Sequence, residues 1–211
     1  MSHYDDEAQV EELKKWWKEN RAPLIAGLVL GLSGIAGWQY WQSFQAQRAA
    51  EASQMFETLK QVADQNKVGE TRTLVEKLKN EYLRTPYAAN AALLAARLAA
   101  DRKDWKIAGE ELEWVDAHAR DEGLRQIARL RLARVLWQMG KPDEALQRIP
   151  AAPAAAFAPL YNELRGDIQL ARGDRSAARA AYQKALDGAA AASRELIQRK
   201  LDDLADAPAA S

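Results

Sequence analysis

The sequence predicts an all-α chain, with one apolar helix long enough to cross a membrane followed by stacked pairs of amphipathic helices. Three observations carry this prediction. From Ala22 to Trp41 the chain is apolar, and no charged side chain occurs between Arg21 and Arg48. After Trp41 it is rich in alanine and lacks β-branched runs and two-residue hairpin turns, so strands are not expected. Finally, Ala108, Ala145 and Ala178 recur at intervals near the ~34 residues of a two-helix repeat.

The apolar stretch comes first. At about 1.5 Å per residue, roughly 20 residues span the ~30 Å of bilayer hydrocarbon. Trp16 and Trp17 precede it and Trp38, Tyr40 and Trp41 close it, the amphipathic aromatics that membrane interfaces favour. Pro23 is expected in the first helical turn, where its missing N–H costs nothing. Lys14, Lys15, Lys18 and Arg21 crowd the N-terminal flank, whereas Arg48 stands alone before Lys60 on the other. The positive-inside bias therefore keeps the N-terminus in the cytoplasm and exports the rest; the acids of the lead count for little in that rule. The apolar run exceeds the 7–15 residues typical of a signal peptide, and its lead is long and acid-rich, so an uncleaved signal anchor is expected. Gly27, Gly31 and Gly34 fall on one face of this helix, a small-residue stripe that lets another helix approach closely.

Ahead of the anchor, E-A-Q-V-E-E-L-K-K-W-W-K-E-N places Val10, Leu13 and Trp17 on one helical face. This is an interfacial lead-in to the anchor, or a cytoplasmic docking helix for a regulator or a ribosome-side partner; the residues leave both readings open.

Beyond the anchor, G-D-R-S-A-A-R-A-A-Y-Q-K-A-L (173–186) matches the second half of a tetratricopeptide repeat, through Gly173, Ala178, Tyr182 and Ala185. Gly166 stands where the first helix must be small for the second to cross closely. An upstream copy has Leu132, Ala133, Leu136, Gly140 and Ala145 in register. A third has Ala96, Ala108, Leu112 and Val115, and a fourth, weaker, has Gly69, Leu74, Leu78 and Pro86. The fold expected is therefore a degenerate tetratricopeptide-repeat (α-solenoid) domain, in which stacking supplies the core that no helical pair has alone. Pro150, Pro153 and Pro159 form a stiff connector before the last repeat. Arg194 to Ala205, with Leu196, Ile197, Leu201 and Leu204, reads as a capping helix. The organisation expected is a cytoplasmic segment (1–21), a signal anchor (22–42), a periplasmic repeat domain (43–205) and a disordered tail (206–211).

Composition removes several function classes. With 30 basic and 30 acidic residues intermixed, no basic block supports nucleic-acid binding. The absence of cysteine excludes disulfides, thiolate metal sites and a lipobox. His3 and His118 are the only histidines; neither belongs to a set of convergent ligands or lies beside a nucleophile, and His118 reads as a solvated helix-end residue. Phosphate-cradling glycine loops and nucleophile-elbow motifs are missing. No enzyme activity, metal or cofactor is expected.

Repeat arrays of this kind bind peptides on the face lined by their first helices. The register puts Asn90, Leu93, Arg97, Ile127, Leu130, Arg134 and Trp137 there, an apolar and guanidinium surface suited to segments carrying carboxylates beside apolar side chains. Leu93 and Leu130 are the members most readily covered by a neighbouring helix instead.

Taken together, E-E-L-K-K-W-W-K-E-N, the anchor ending G-W-Q-Y-W, L-R-L-A-R (130–134) and L-R-G-D (164–167) followed by G-D-R resemble the YfgM-type ancillary subunits of the Sec translocon of Gram-negative bacteria. The likeness covers nearly the whole chain. It implies a non-enzymatic inner-membrane adaptor or chaperone with a periplasmic repeat domain. The implied partners are the SecYEG channel, a membrane-anchored parvulin-type periplasmic chaperone and newly exported client proteins. It also implies a link to a cytoplasmic stress-response regulator, so that holding such a regulator through the N-terminal segment is the alternative role; an envelope enzyme is the remoter one.

Overall fold

The structure is a computed structural model that describes residues 3–206, with side chains for 10–204. Among the described residues every regular element is helical. The expected disordered tail falls almost wholly outside them, as does the side chain of His3. Packing divides the chain after Ala50 into two units.

The first unit is carried by α1 (His3–Asp64), whose helix begins well before the apolar stretch. Pro23 therefore lies inside the helix, a correction to the expected first-turn position. The strong helix formers of the lead carry the helix through it, and a membrane-spanning helix tolerates the lost backbone bond. Leu24, Ile25, Leu28, Val29, Leu30, Leu32 and Ile35 are all exposed. Among the described residues, α1 is the one helix long and apolar enough to cross a membrane. Around Gly27, Gly31 and Gly34 there is open space on every side.

The second unit opens with the end of α1, from Glu51, which pairs with α2 (Val68–Glu81). Three further pairs follow: α3 (Pro86–Asp101) with α4 (Trp105–His118), α5 (Glu122–Gln138) with α6 (Pro142–Arg148), and α7 (Ala158–Ala171) with α8 (Arg175–Gly188); α9 (Ala191–Asp206) closes the stack. Each pair turns on a residue in the left-handed region two places before its second helix: Asn66, Lys103, Gly140 and Gly173, at φ 57, 61, 75 and 84°. Glycine meets this requirement without strain at two turns; at the others Asn and Lys accept it. The first repeat's register therefore starts at Asn66, and Gly69 lies inside α2. Five residues after each turn comes the residue that lets the two helices cross: Ala108, Ala145 and Ala178, each fully buried, and Thr71, whose Oγ1 donates to Lys67 O at 2.9 Å. That hydrogen bond satisfies the hydroxyl where the other repeats carry only a methyl.

The stack's core runs in sections between neighbouring helices. Ala52 and Leu59 pack with Val75, Leu78, Tyr82 and Ala91. Leu112, Val115, Ala128 and Leu132 hold α4 to α5. Ala145, Ile149, Tyr161, Leu164 and Ile168 fill the next section. Tyr182 and Ala185 meet Ile197, Leu201 and Leu204 of α9. Leu196, expected on the capping face, is instead 47% exposed, because the buried stripe of α9 runs through 197, 201 and 204 at helical spacing. Helix α6 spans only 7 residues. A loop carrying Pro150 and Pro153 follows it, while Pro159 opens α7 and is not part of the connector.

Candidate functional site

A cleft of about 330 Å³ opens between the first helices of the second and third repeats, α3 and α5. Its placement follows from the helical period. Arg131, Arg134 and Gln138 recur every three to four residues on α5, so all three reach the same side, with Val135 beneath them. Across the gap α3 presents Ala96, Arg97 and Ala100. Two residues of α4, Trp105 and Leu112, are reached from the cleft and complete an apolar floor.

Three guanidinium groups thus rim an apolar recess. Arg97 has a distant partner in Asp101, with Nε to Oδ2 at 3.8 Å and side chains 70% and 66% exposed. A pair that open to water holds its members weakly. Arg131 and Arg134 make no ion pair among the described residues. Guanidinium groups bind planar carboxylates through two parallel hydrogen bonds, so the site has unspent capacity for acids. The small side chains of Ala96 and Ala100 make the recess: larger residues there would fill it.

Of the seven residues projected from the sequence, Arg97 and Arg134 meet in this cleft. Leu93 and Leu130 are 9% and 5% exposed and belong to the core. Ile127 packs against the α3–α4–α5 core and Trp137 against the section around Tyr161. Asn90 is half-buried and lies outside the cleft. Arg131 and Trp105 are not among the seven, and Leu112, a repeat-register residue in the sequence, also lies under the cleft. The signal for Arg131 was its place one helical turn before Arg134; nothing local marks Trp105, which arrives from the start of the second helix.

Around the cleft the α5 helix is held by polar contacts. Tyr161 is fully buried, and its hydroxyl donates towards Gln126 O at 2.9 Å and Gln126 Oε1 at 3.0 Å. Burial pushes its pKa up to about 12. Gln126 Nε2 donates in turn to Glu122 Oε1 at 2.8 Å, the main cause of the lowered Glu122 pKa. Arg129 bridges to Asp116 at 2.6 Å, tying α5 back to α4. His118 ends α4 exposed, its ring stacked on Trp114 at 4.7 Å. Among the described residues no group of three His, Asp or Glu side chains is placed to hold a metal ion.

Comparison with known proteins agrees with this architecture. A family model for a tetratricopeptide repeat-like domain matches residues 14–206. A protein of Aggregatibacter actinomycetemcomitans called "Ancillary SecYEG translocon subunit" is 34% identical over 95% of this chain and 98% of its own length. Proteins of the same name from Haemophilus influenzae and Escherichia coli are 32% and 31% identical, over 95% and 97% of the chain and 98% and 99% of their own lengths. No solved structure gives a significant match.

Proposed function

The chain belongs to the family of ancillary SecYEG translocon subunits, and from that membership we propose a non-enzymatic, single-pass inner-membrane adaptor that works beside the Sec channel. In this reading α1 holds the chain in the membrane with its N-terminus in the cytoplasm, and the repeat stack stands in the periplasm. The α3–α5 cleft receives segments of newly exported proteins that carry carboxylates beside apolar side chains. A membrane-anchored parvulin-type chaperone is the partner to which such segments pass. Tethering raises the local concentration of the cleft at the channel exit, so that weak binding of each segment suffices.

The observation that carries the reading is the cleft itself: three guanidinium groups, two of them without ion-pair partners among the described residues, over an apolar floor. A conserved-chemistry enzyme site would need a nucleophile, base or metal set in the same recess; alanine, leucine, tryptophan and arginine bind, and offer none of these. The test is to draw the full-length chain from membranes in mild detergent and identify what comes with it. Recovery of SecYEG and of a periplasmic chaperone is the expected result. Recovery of a cytoplasmic regulator without channel subunits would overturn the adaptor reading in favour of a signalling one.

A further inference from the structure

A second cleft, also of about 330 Å³, lies between the second helices α2 and α4, and it is separate from the one above. Its floor is Ala95 and Leu98 of α3. Its lips are apolar and open to water: Val68 is 50% exposed and Ile107 43%. These residues stand at the first and third positions of α2 and α4, where the later repeats carry Pro142 and Glu144, or Arg175 and Ala177. At these two helix positions the later repeats present no exposed large apolar side chain.

Charge is sorted along the cleft. At one end Arg72 and Arg102 are exposed and make no ion pair among the described residues. At the other, Lys79 lies in a carboxylate nest, 3.1 Å from Glu76 and 3.1 Å from Glu111, with its ammonium 5.1 Å from the Trp114 ring centre. Glu110 adds a further acid, 3.9 Å from Lys106. Burial, and then the charges of Glu76 and Glu110, raise the Glu111 pKa even against the pull of Lys79. Three acids, Glu76, Glu110 and Glu111, thus gather at this end around Lys79, with Lys106 reaching Glu110 from one turn away. The Lys79–Glu111 pair, its side chains 10% and 14% exposed, lies at the foot of an open cleft, where its acids are within reach of a partner.

Val68 to Lys79 spans about 16 Å of helix, or three turns. A partner helix of that length presents one face through residues spaced by three or four. We propose that the α2–α4 cleft docks an amphipathic helix of a partner protein, one whose face carries an acidic residue, an apolar residue and a basic residue in successive turns. The acid meets Arg72 and Arg102, the apolar side chain covers Leu98 between Val68 and Ile107, and the base enters among Glu76, Glu110 and Glu111. The adaptor then has two independent faces, so that one partner stays docked while the α3–α5 cleft is filled or empty.

The probe is a labelled alanine-based helical peptide of about 15 residues, roughly 22 Å and so longer than the cleft by design, bearing Glu, Leu and Lys at every fourth position. Binding to the full-length chain in nanodiscs is read by fluorescence anisotropy, against versions with Lys for Glu, Glu for Lys, or Ser for Leu. The mixed peptide should bind at least about tenfold more tightly than each of the three, one tenfold step being ~1.4 kcal/mol. Ile107→Asp, at an exposed lip, should weaken it by a similar factor. Arg72→Glu with Arg102→Glu should switch preference to the all-basic peptide, and Arg131→Glu with Arg134→Glu should leave binding unchanged. Equal binding of all four peptides, or loss only in the Arg131/Arg134 variant, overturns the proposal without touching the α3–α5 reading.

Discussion

Gly166 of α7 faces Tyr182 of α8 so closely that a Cβ built on the glycine would overlap the phenol ring. The hydroxyl of Tyr182 donates to Asp167 Oδ1 at 2.7 Å, which fixes the ring over the gap. Helix crossing in the last repeat therefore depends on a missing methyl group. Overpacking of this kind costs about 1–3 kcal/mol. Gly166→Ala is expected to lower the stability of the full-length chain by that amount in denaturant titrations followed by circular dichroism. Gly69→Ala, in open space on α2, is the control and should stabilise by about 0.5 kcal/mol.

Lys200 of α9 reaches Glu163 at 2.8 Å and Asp167 at 2.7 Å, so the closing helix is tied to α7 as well as packed on α8. Burial lowers the Lys200 pKa, but its hydrogen bonds and the charges of Asp167 and Glu163 together outweigh this and raise it. A raised lysine pKa contributes stability that is complete below the ordinary lysine value of 10.5 and lost as pH climbs through the folded value. Lys200→Ala should cost about 2 kcal/mol at neutral pH by leaving two half-buried carboxylates without their cation. In Lys200→Ala, hydrogen exchange should show α9 opening faster than in the natural chain; unchanged protection of α9 would refute the tie.

Much of the stack was legible in the sequence, for a reason visible at Ala108, Ala145 and Ala178. Close helix crossing favours a small side chain, so alanine recurs there in three of the four repeats and leaves a periodic mark, while the first repeat carries Thr71. Gly140 and Gly173 mark the turns likewise. Asn66 and Lys103 meet the same left-handed requirement without being glycine, which is why the first repeat's register was set at Gly69. The site was half legible. Arg97 and Arg134 project where helical spacing puts them, but whether Leu93 and Leu130 line a groove or seal a core depends on how near the neighbouring helix comes. Spacing along one helix holds no information about that distance. Trp105 reaches the cleft from a different helix, and no local pattern could assign it.

Tyr161 joins α7 to α5 through its hydroxyl on Gln126. Tyr161→Phe keeps the ring and removes the hydrogen bonds, with an expected loss of about 1–2 kcal/mol. The tyrosine pKa is raised from 10.0 to about 12, so its contribution is complete below the lower value and fades as pH rises towards the higher. The advantage of the natural residue over Phe should therefore shrink across that interval. A difference independent of pH would contradict the burial of the phenol.

Glu111 gives the opposite end of the scale. Its pKa is raised by burial, only partly countered by Lys79, so the protonated form is favoured in the fold. That contribution is present below the ordinary glutamate value of 4.5 and is lost as pH rises through the folded value. On acidification from neutral pH the natural chain should gain stability relative to Glu111→Gln. Parallel stability curves for the two would show that Glu111 is solvated.

The most direct test of the account places a photoreactive residue at Gln138, on the rim of the α3–α5 cleft, in the full-length protein in inner-membrane vesicles. A secreted chain arrested in the channel, with an acidic and apolar segment just emerged, is then illuminated. The account predicts an adduct to that segment, lost with Arg97→Glu, Arg131→Glu and Arg134→Glu combined and absent when the segment's acids are replaced by lysine. An adduct indifferent to both changes, or none at any arrest length, would contradict it.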